Sequence, residues 1–136
     1  MKALWEQPKA SFDGYFWKLD GETMEPKPVQ KPHPPVLLGG MARNVFRRII
    51  EWGDGWIPNR VTPDEVAVGR AKLDELATVA GRDPASIPIS VFGQQPDPDL
   101  IKRFFDAGAE RVTVRLPVLE EKESLVELER MAAKVL

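Results

Sequence analysis

From residue 36 onward the chain alternates a short apolar run with a longer amphipathic one four times over. Four such units cannot be closed by tight hairpins, so they imply parallel strands joined by right-handed helical crossovers. Strands are expected near residues 36–39, 55–58, 88–92 and 111–116. The first, Val36, Leu37 and Leu38, lies between prolines and glycines and suits a strand buried on both faces. The helix after it would carry Met41, Val45 and Ile49, with Ala42, Phe46 and Ile50, on an apolar face. Arg43, Asn44, Arg47, Arg48 and Glu51 would form its polar face. Thr62-Pro63-Asp64-Glu65 then supplies a capping hydroxyl, a proline at the first helical position and acid in the first turn. Val66, Leu73, Leu76 and Ala80 follow at helical spacing until Gly81. Asp97-Pro98 opens a third helix bearing Leu100, Ile101, Phe104 and Phe105, stopped near Gly108. Val112, Val114 and Leu116 alternate with Thr113 and Arg115 as a strand does, and Leu125, Leu128, Ala132 and Val135 mark a last helix. The fold class is α/β.

The first 35 residues break that rhythm. Residues 1–5 resemble the last turn of a helix, and Tyr15, Trp17 and Leu19 are placed to line one side of a short extended strand. Five prolines between Pro26 and Pro35 then hold the backbone extended and bar a helix. Residues 1–35 read as an excursion from a barrel, and residues 36–136 as four βα units of a single domain.

Composition excludes several classes of function. A net charge of −2 gives no reason to expect a nucleic acid or an anionic membrane surface as partner. No apolar run is long enough to span a bilayer. With no cysteine there is no disulfide or thiolate chemistry, which fits a cytoplasmic protein, and one histidine cannot build a multi-histidine metal site. No metal site is expected.

The stretch PKPVQKPHPPVLLGG, residues 26–40, carries the strongest chemical signal. Two glycines at the carboxyl end of a strand let the backbone approach a ligand. The helix that follows offers free N–H groups and a positive dipole end to an anion such as phosphate. An ordinary strand-to-helix turn has the same pattern.

The segments ALW…SFDGYFWKLDGETMEPKPVQKPHPPVLLGG, RRIIEWGDGWIP and AGRDPASIPISVFG together resemble the luciferase-like monooxygenase family, and within it the F420 (deazaflavin)-dependent oxidoreductases. The resemblance runs over nearly the whole chain and in the family's order. It implies an eight-stranded (β/α) barrel, of which residues 36–136 are similar to the C-terminal half, strands five to eight. The first four units are therefore expected outside this sequence. In the family, FMN or F420 lies across the carboxyl face of the barrel with its phosphate near the glycines after the fifth strand. Gly39 and Gly40 match that position, and Met41, Ala42 and Arg43 match the helix N-terminus that cradles the phosphate. Relatives often have serine or threonine where this chain has Met41 or Ala42, which leaves backbone N–H groups and Arg43 as donors. The ring pocket comes largely from the other half, so no catalytic residue is transferred. F420 is slightly favoured over FMN.

Asn59, Arg60, Gln94 and Gln95 follow strands, where (β/α) barrels build substrate pockets, and are substrate-pocket candidates. Arg115 joins them. If Val112, Val114 and Leu116 face the helices, alternation turns Thr113 and Arg115 inward, and a buried guanidinium needs a partner. The partner would be a carboxylate from the other half of the barrel, or an anionic cofactor or substrate group, with a structural ion pair favoured; the alternative register sends Arg115 to solvent and needs no partner. His33 is given a structural role, Asp54 a turn-forming one, Trp56 a place in the core, and Trp5 and Trp17 packing roles within the excursion.

The expected function is a C-terminal portion of a flavin- or deazaflavin-dependent oxidoreductase or monooxygenase acting on a small-molecule substrate. The alternative is a non-catalytic half-barrel that pairs with itself or a complementary half. A phosphate-binding (β/α) enzyme of unrelated chemistry is weaker, and a dinucleotide binder weaker still, because GxGxxG spacing is absent. A half-barrel would leave two strand edges and an open face, among them residues from 89–91 and 113–115. A homo-oligomer is therefore expected.

Overall fold

A computed structural model describes residues 1–135. They fall into two compact units, divided at Pro35 and Val36.

The N-terminal unit begins with α1 (Lys2–Glu6) and continues through β1 (Ala10–Asp13) and β2 (Lys18–Glu22), an antiparallel hairpin. The Gly14 N–H donates to the Trp17 carbonyl at 3.0 Å and closes its turn. Tyr15, Phe16 and Trp17 sit on that turn, 95%, 83% and 78% exposed, with the Tyr15 and Phe16 rings edge to face at 4.7 Å. The expected single strand lined by Tyr15, Trp17 and Leu19 is thus two strands and a turn, with Trp17 largely exposed on the turn. The turn residues Asp13-Gly14 end the first strand earlier than side-chain alternation suggests. Trp5 does pack: its ring lies 6.0 Å from that of His33. His33 Nδ1–H donates to the Pro34 carbonyl at 2.8 Å, and Nε2 lies 3.5 Å from Glu6, which leaves its side chain 7% exposed. The histidine is structural.

The second unit contains β3 (Leu37–Gly39), α2 (Val45–Trp52), β4 (Gly55–Ile57), α3 (Pro63–Val79), β5 (Ser90–Gln94), α4 (Pro98–Asp106), β6 (Arg111–Val114) and α5 (Glu121–Val135). β3 pairs with β4 in parallel, with Leu38 opposite Trp56, and β5 pairs with β6 in parallel. Parallel bridges Trp56–Ile89 and Asn59–Phe92 join the two pairs. All four strands are therefore parallel neighbours in chain order, each followed by a helix, which is the arrangement of one half of a (β/α)8 barrel.

The core consists of Leu38, Val45, Ile49, Trp56, Val66, Leu73, Ile89, Val91 and Phe104, with smaller residues between them. Ile89, Ser90 and Val91 are buried, contrary to the open inward face expected for them. Helix α3 buries Val66, Gly69, Leu73 and Ala77, whereas Leu76 is half-buried and Ala80 exposed. Its inward stripe therefore runs through the small residues, which bring the helix close to the sheet. The last helix differs more. Only Met131 of α5 is buried, and Leu125 and Leu128 are 57% and 52% exposed.

Polar contacts lock the loops at the amino ends of the strands. Asp54 N–H donates to the Val36 carbonyl at 2.8 Å while the Asp54 carboxylate accepts from Val36 N–H at 2.7 Å, so Asp54 is the turn former expected of it. Arg82 donates one terminal nitrogen to the Ile49 and Gly53 carbonyls at 3.0 and 2.7 Å. Those are carbonyls at the C-terminus of α2, where a cation also meets the negative dipole end.

Two predictions follow from α3. Its N-terminus is a complete capping box, with Glu65 N–H donating to Thr62 Oγ1 at 3.2 Å and Thr62 N–H to Glu65 Oε2 at 2.7 Å. Thr62→Ala should cost about 1 kcal/mol in urea unfolding. The Thr62 backbone and hydroxyl hold the Glu65 carboxyl below the ordinary carboxylate range. A carboxyl with a depressed folded pKa stabilises fully above its unfolded pKa and loses that stabilisation as pH falls through the folded value. Glu65→Gln keeps the shape without the charge, so its deficit against the native chain should be present at neutral pH and fade on acidification below that range. At Gly69, alanine would gain about 1 kcal/mol of helix propensity. Its Cβ would meet Trp56 Cη2 at 2.6 Å and Phe46 Cζ at 3.3 Å. The indole is fully buried and cannot yield, and overpacking of that kind costs about 1–3 kcal/mol. Gly69→Ala should therefore lower the unfolding midpoint; an unchanged or raised midpoint would mean that the indole can move aside.

Candidate functional site

The carboxyl ends of β3, β4, β5 and β6 share one end of the sheet, and every residue singled out as a binding candidate lies there or just beyond. They fall into two regions.

The first is the glycine corner. Gly39 ends β3, and Gly40 follows with φ +83°, a left-handed conformation costly to residues with a Cβ. A Cβ on Gly40 would meet nothing within 4 Å, so the turn stands open on its outer side. Its carbonyl accepts from the Trp56 indole N–H at 2.9 Å. The corner is therefore pinned from beneath by a buried ring while its outer side stays clear.

The helix beyond starts later than the sequence suggests. Met41, Ala42 and Arg43 were expected to form its N-terminus, yet α2 begins at Val45 with Asn44 as N-cap. Val45 N–H donates to the Ala42 carbonyl at 2.9 Å, so residues 41–44 form a turn that leads into the helix. The two glycines leave the chain in a conformation that needs this turn before helical geometry can begin. The consequence is a division of the expected cradle. Arg43 lines a cleft of about 510 Å³ with Asn44 and Arg47. Met41 lies in a separate cleft with Phe46, Asp64, Glu65, Val68 and Gly69. Asn44 and Arg47 were placed only on the helix's polar face by sequence reasoning; the signal available was the four-residue spacing of Arg43 and Arg47, which share a helical face. Arg47 also sits 3.4 Å from Glu51, both of them exposed.

The cleft of Arg43, Asn44 and Arg47 presents two guanidinium groups and an amide, donors of the kind a phosphate takes, while Gly39 and Gly40 are not among its lining residues. No hydroxyl side chain contributes.

The second region is a cavity of about 360 Å³, lined by Asn59, Arg60, Phe92, Gly93, Gln94, Gln95 and Arg115. All five substrate-pocket candidates thus meet in one cavity. A break in strand register brings them together. Val91 pairs with Val112 and Gln94 with Val114, so three steps on β5 match two on β6. The extra residue falls by Gly93, whose φ is +72° and whose N–H donates to Thr113 Oγ1 at 2.9 Å. Neighbouring side chains of an unbroken strand point to opposite faces; the bulge is what lets four successive residues, Phe92 to Gln95, line the same space. The Arg115 N–H donates to the Gln94 carbonyl at 2.9 Å and sets the far wall.

Arg115 takes the alternative register: it is exposed at the cavity, and among the described residues no carboxylate pairs with it. Strand β6 ends at Val114, so the alternation that would have carried Arg115 inward has already stopped. Arg60 adds a feature that the sequence does not announce: with φ +52° it is the one non-glycine residue with positive φ among the described residues. Such a conformation typically costs 1–3 kcal/mol and gathers at binding sites. No group of histidine, cysteine, aspartate and glutamate that could hold a metal ion occurs among the described residues, and no helix there is long and apolar enough to cross a membrane.

Comparison with known proteins gives consistent results. A family profile described as luciferase-like monooxygenase matches residues 1–94. An uncharacterised protein of Mycobacterium tuberculosis strain H37Rv is 36% identical over 141 residues, covering 99% of this chain and 47% of the relative. The FMNH2-dependent dimethylsulfone monooxygenase of Pseudomonas putida is 29% identical over 94 residues, 67% of this chain and 24% of that protein. Among solved structures, the coenzyme F420 dependent tetrahydromethanopterin reductase of Methanopyrus kandleri superposes with a TM-score of 0.71 at 16% identity. It covers 93% of this chain and 57% of that one. The chain spans about half the length of the curated relatives it matches first. With a profile matched over more than half its residues and four parallel βα units in barrel order, the chain belongs to the luciferase-like monooxygenase family.

Proposed function

We propose that this chain forms the phosphate-holding part of a flavin- or deazaflavin-dependent oxidoreductase acting on a small molecule, in the cytoplasm. The observation that carries the proposal is the glycine corner: an open Gly40 turn, pinned through its carbonyl by Trp56 and followed along the chain by Arg43, Asn44 and Arg47, which line one cleft. Relatives support it, since one is named for FMNH2 and a fold neighbour for F420. When bound, such a cofactor would supply hydride transfer or oxygen activation from its ring system. The residues of this chain bind and orient. Gly40 keeps a Cβ out of the approach path, the α2 N–H groups after Val45 would donate to phosphate oxygens, since Val45 N–H already meets the Ala42 carbonyl, and Arg43 would add a charged donor. Between the two cofactors we favour F420.

Fluorescence titration of the purified chain with FMN and with F420 tests this. Either cofactor should bind weakly, and Arg43→Gln should weaken binding about tenfold, the order expected for one charge-assisted hydrogen bond in a solvent-open cleft. Turnover by this chain alone should stay well below about 1 s⁻¹, since no catalytic residue is assigned to it. Cofactor binding indifferent to Arg43 would remove the proposed phosphate site.

We also propose that this half-barrel associates with a second copy of itself. In support, Leu125, Val126 and Leu128 of α5 are 57%, 67% and 52% exposed, and β3 and β6 are the outer strands of the parallel array. Covering such a face recovers about 25 cal/mol per Å² of apolar surface. Light scattering at micromolar concentration should report a dimer or a larger species; a monodisperse monomer would refute association.

A further inference from the structure

We infer that the cavity at the carboxyl ends of β4, β5 and β6 recognises an anionic oxygen group, a carboxylate or phosphate carried by the substrate, and that Arg60 and Arg115 determine this specificity. The inference deepens the oxidoreductase proposal by naming the charge class of its substrate, and rests on that proposal for the word substrate alone. Its physical basis is separate.

The chain as a whole is slightly acidic, with 21 carboxylate residues against 19 lysines and arginines. The cavity lining reverses that balance: two arginines, three side-chain amides and no carboxylate. Neither Arg60 nor Arg115 has an ion-pair partner among the described residues. Glu127, in the neighbouring cleft that shares Gln95 and Arg115, is already taken. Arg130 donates to both of its oxygens, at 2.7 and 2.6 Å, and holds its carboxyl below the ordinary range. Arg115 is thus left with its charge uncompensated at the cavity wall. A guanidinium presents a planar fork of donors that matches the two oxygens of a carboxylate or phosphate, and amide N–H groups of Asn59, Gln94 or Gln95 complete such a shell.

Backbone geometry points the same way. Arg60 keeps its guanidinium at the cavity although its φ of +52° favours glycine there. Phe92, 52% exposed on the same lining, offers an apolar face to the remainder of a small molecule. No residue is shared with the Arg43 cleft, so the cofactor phosphate and this anion would be bound independently.

Calorimetric titration with malonate and with uncharged malonamide tests the inference on the native chain and on Arg60→Gly, Arg60→Ala, Arg115→Gln and Arg43→Gln. Malonate should bind and malonamide should not. Arg60→Gly and Arg115→Gln should each weaken malonate binding about tenfold or more, which is about 1.4 kcal/mol or more, while Arg43→Gln leaves malonate binding in place. Arg60→Gly should also unfold at a higher denaturant midpoint than Arg60→Ala, because glycine tolerates the left-handed backbone. Loss of binding in a variant relieved of strain cannot be put down to misfolding. Equal binding of malonamide would overturn the inference. So would malonate binding lost in Arg43→Gln but kept in the Arg60 and Arg115 variants, or no saturable malonate binding below about 10 mM. Malonate binding without FMN or F420 binding would support the anion site and defeat the cofactor proposal; the reverse would defeat the anion site alone.

Discussion

The buried indole of Trp56 is the contact on which the second unit is organised. It has no solvent exposure, its ring meets that of Phe46 edge to face at 5.0 Å, and a glycine of α3 lies against its other side. Its one polar atom must find an acceptor once buried, and the acceptor is the Gly40 carbonyl. A single side chain on β4 therefore sets the depth of α2, the approach of α3 and the direction in which β3 hands the chain to its loop. An aromatic of another shape would fill the volume, but only an indole there also supplies the donor that fixes the corner.

Much of this was legible before any coordinates, and the reason is local. Thr62-Pro63-Asp64-Glu65 and Asp97-Pro98 are short-range signals whose energetics close within one turn, and both open helices as the residues indicate. The same holds for the parallel strands, since period, length and flanking glycines agree. The five residues assembled in the cavity were reachable by a simple rule, that loops after parallel strands share one end of the sheet. What escaped depends on geometry that residue types do not encode. Neither the turn that delays α2 to Val45 nor the bulge at Gly93 has a distinctive sequence, because glycine serves equally in an ordinary turn. Alternation alone left two registers open for Arg115, and the solvent-facing one is seen because β6 ends at Val114. The outward face of α5 was misjudged because periodicity identifies an apolar stripe without saying what covers it.

The two regions have opposite construction. The glycine corner is backbone-built, with side chains removed from the approach and a buried ring as its support. The cavity is side-chain-built, with guanidinium and amide groups carried on the end of β5 and on the loops around it. The corner rests on a core contact, whereas the cavity wall is held by a few backbone hydrogen bonds.

The register break at Gly93 carries this contrast further. A bulge is a one-residue slack in the strand, paid for locally by a left-handed glycine and a single hydrogen bond to Thr113. Because the slack lies downstream of the buried Val91, it decides which of residues 92–95 line the cavity while Val91 stays in the core. The strand works as a selector as well as a wall.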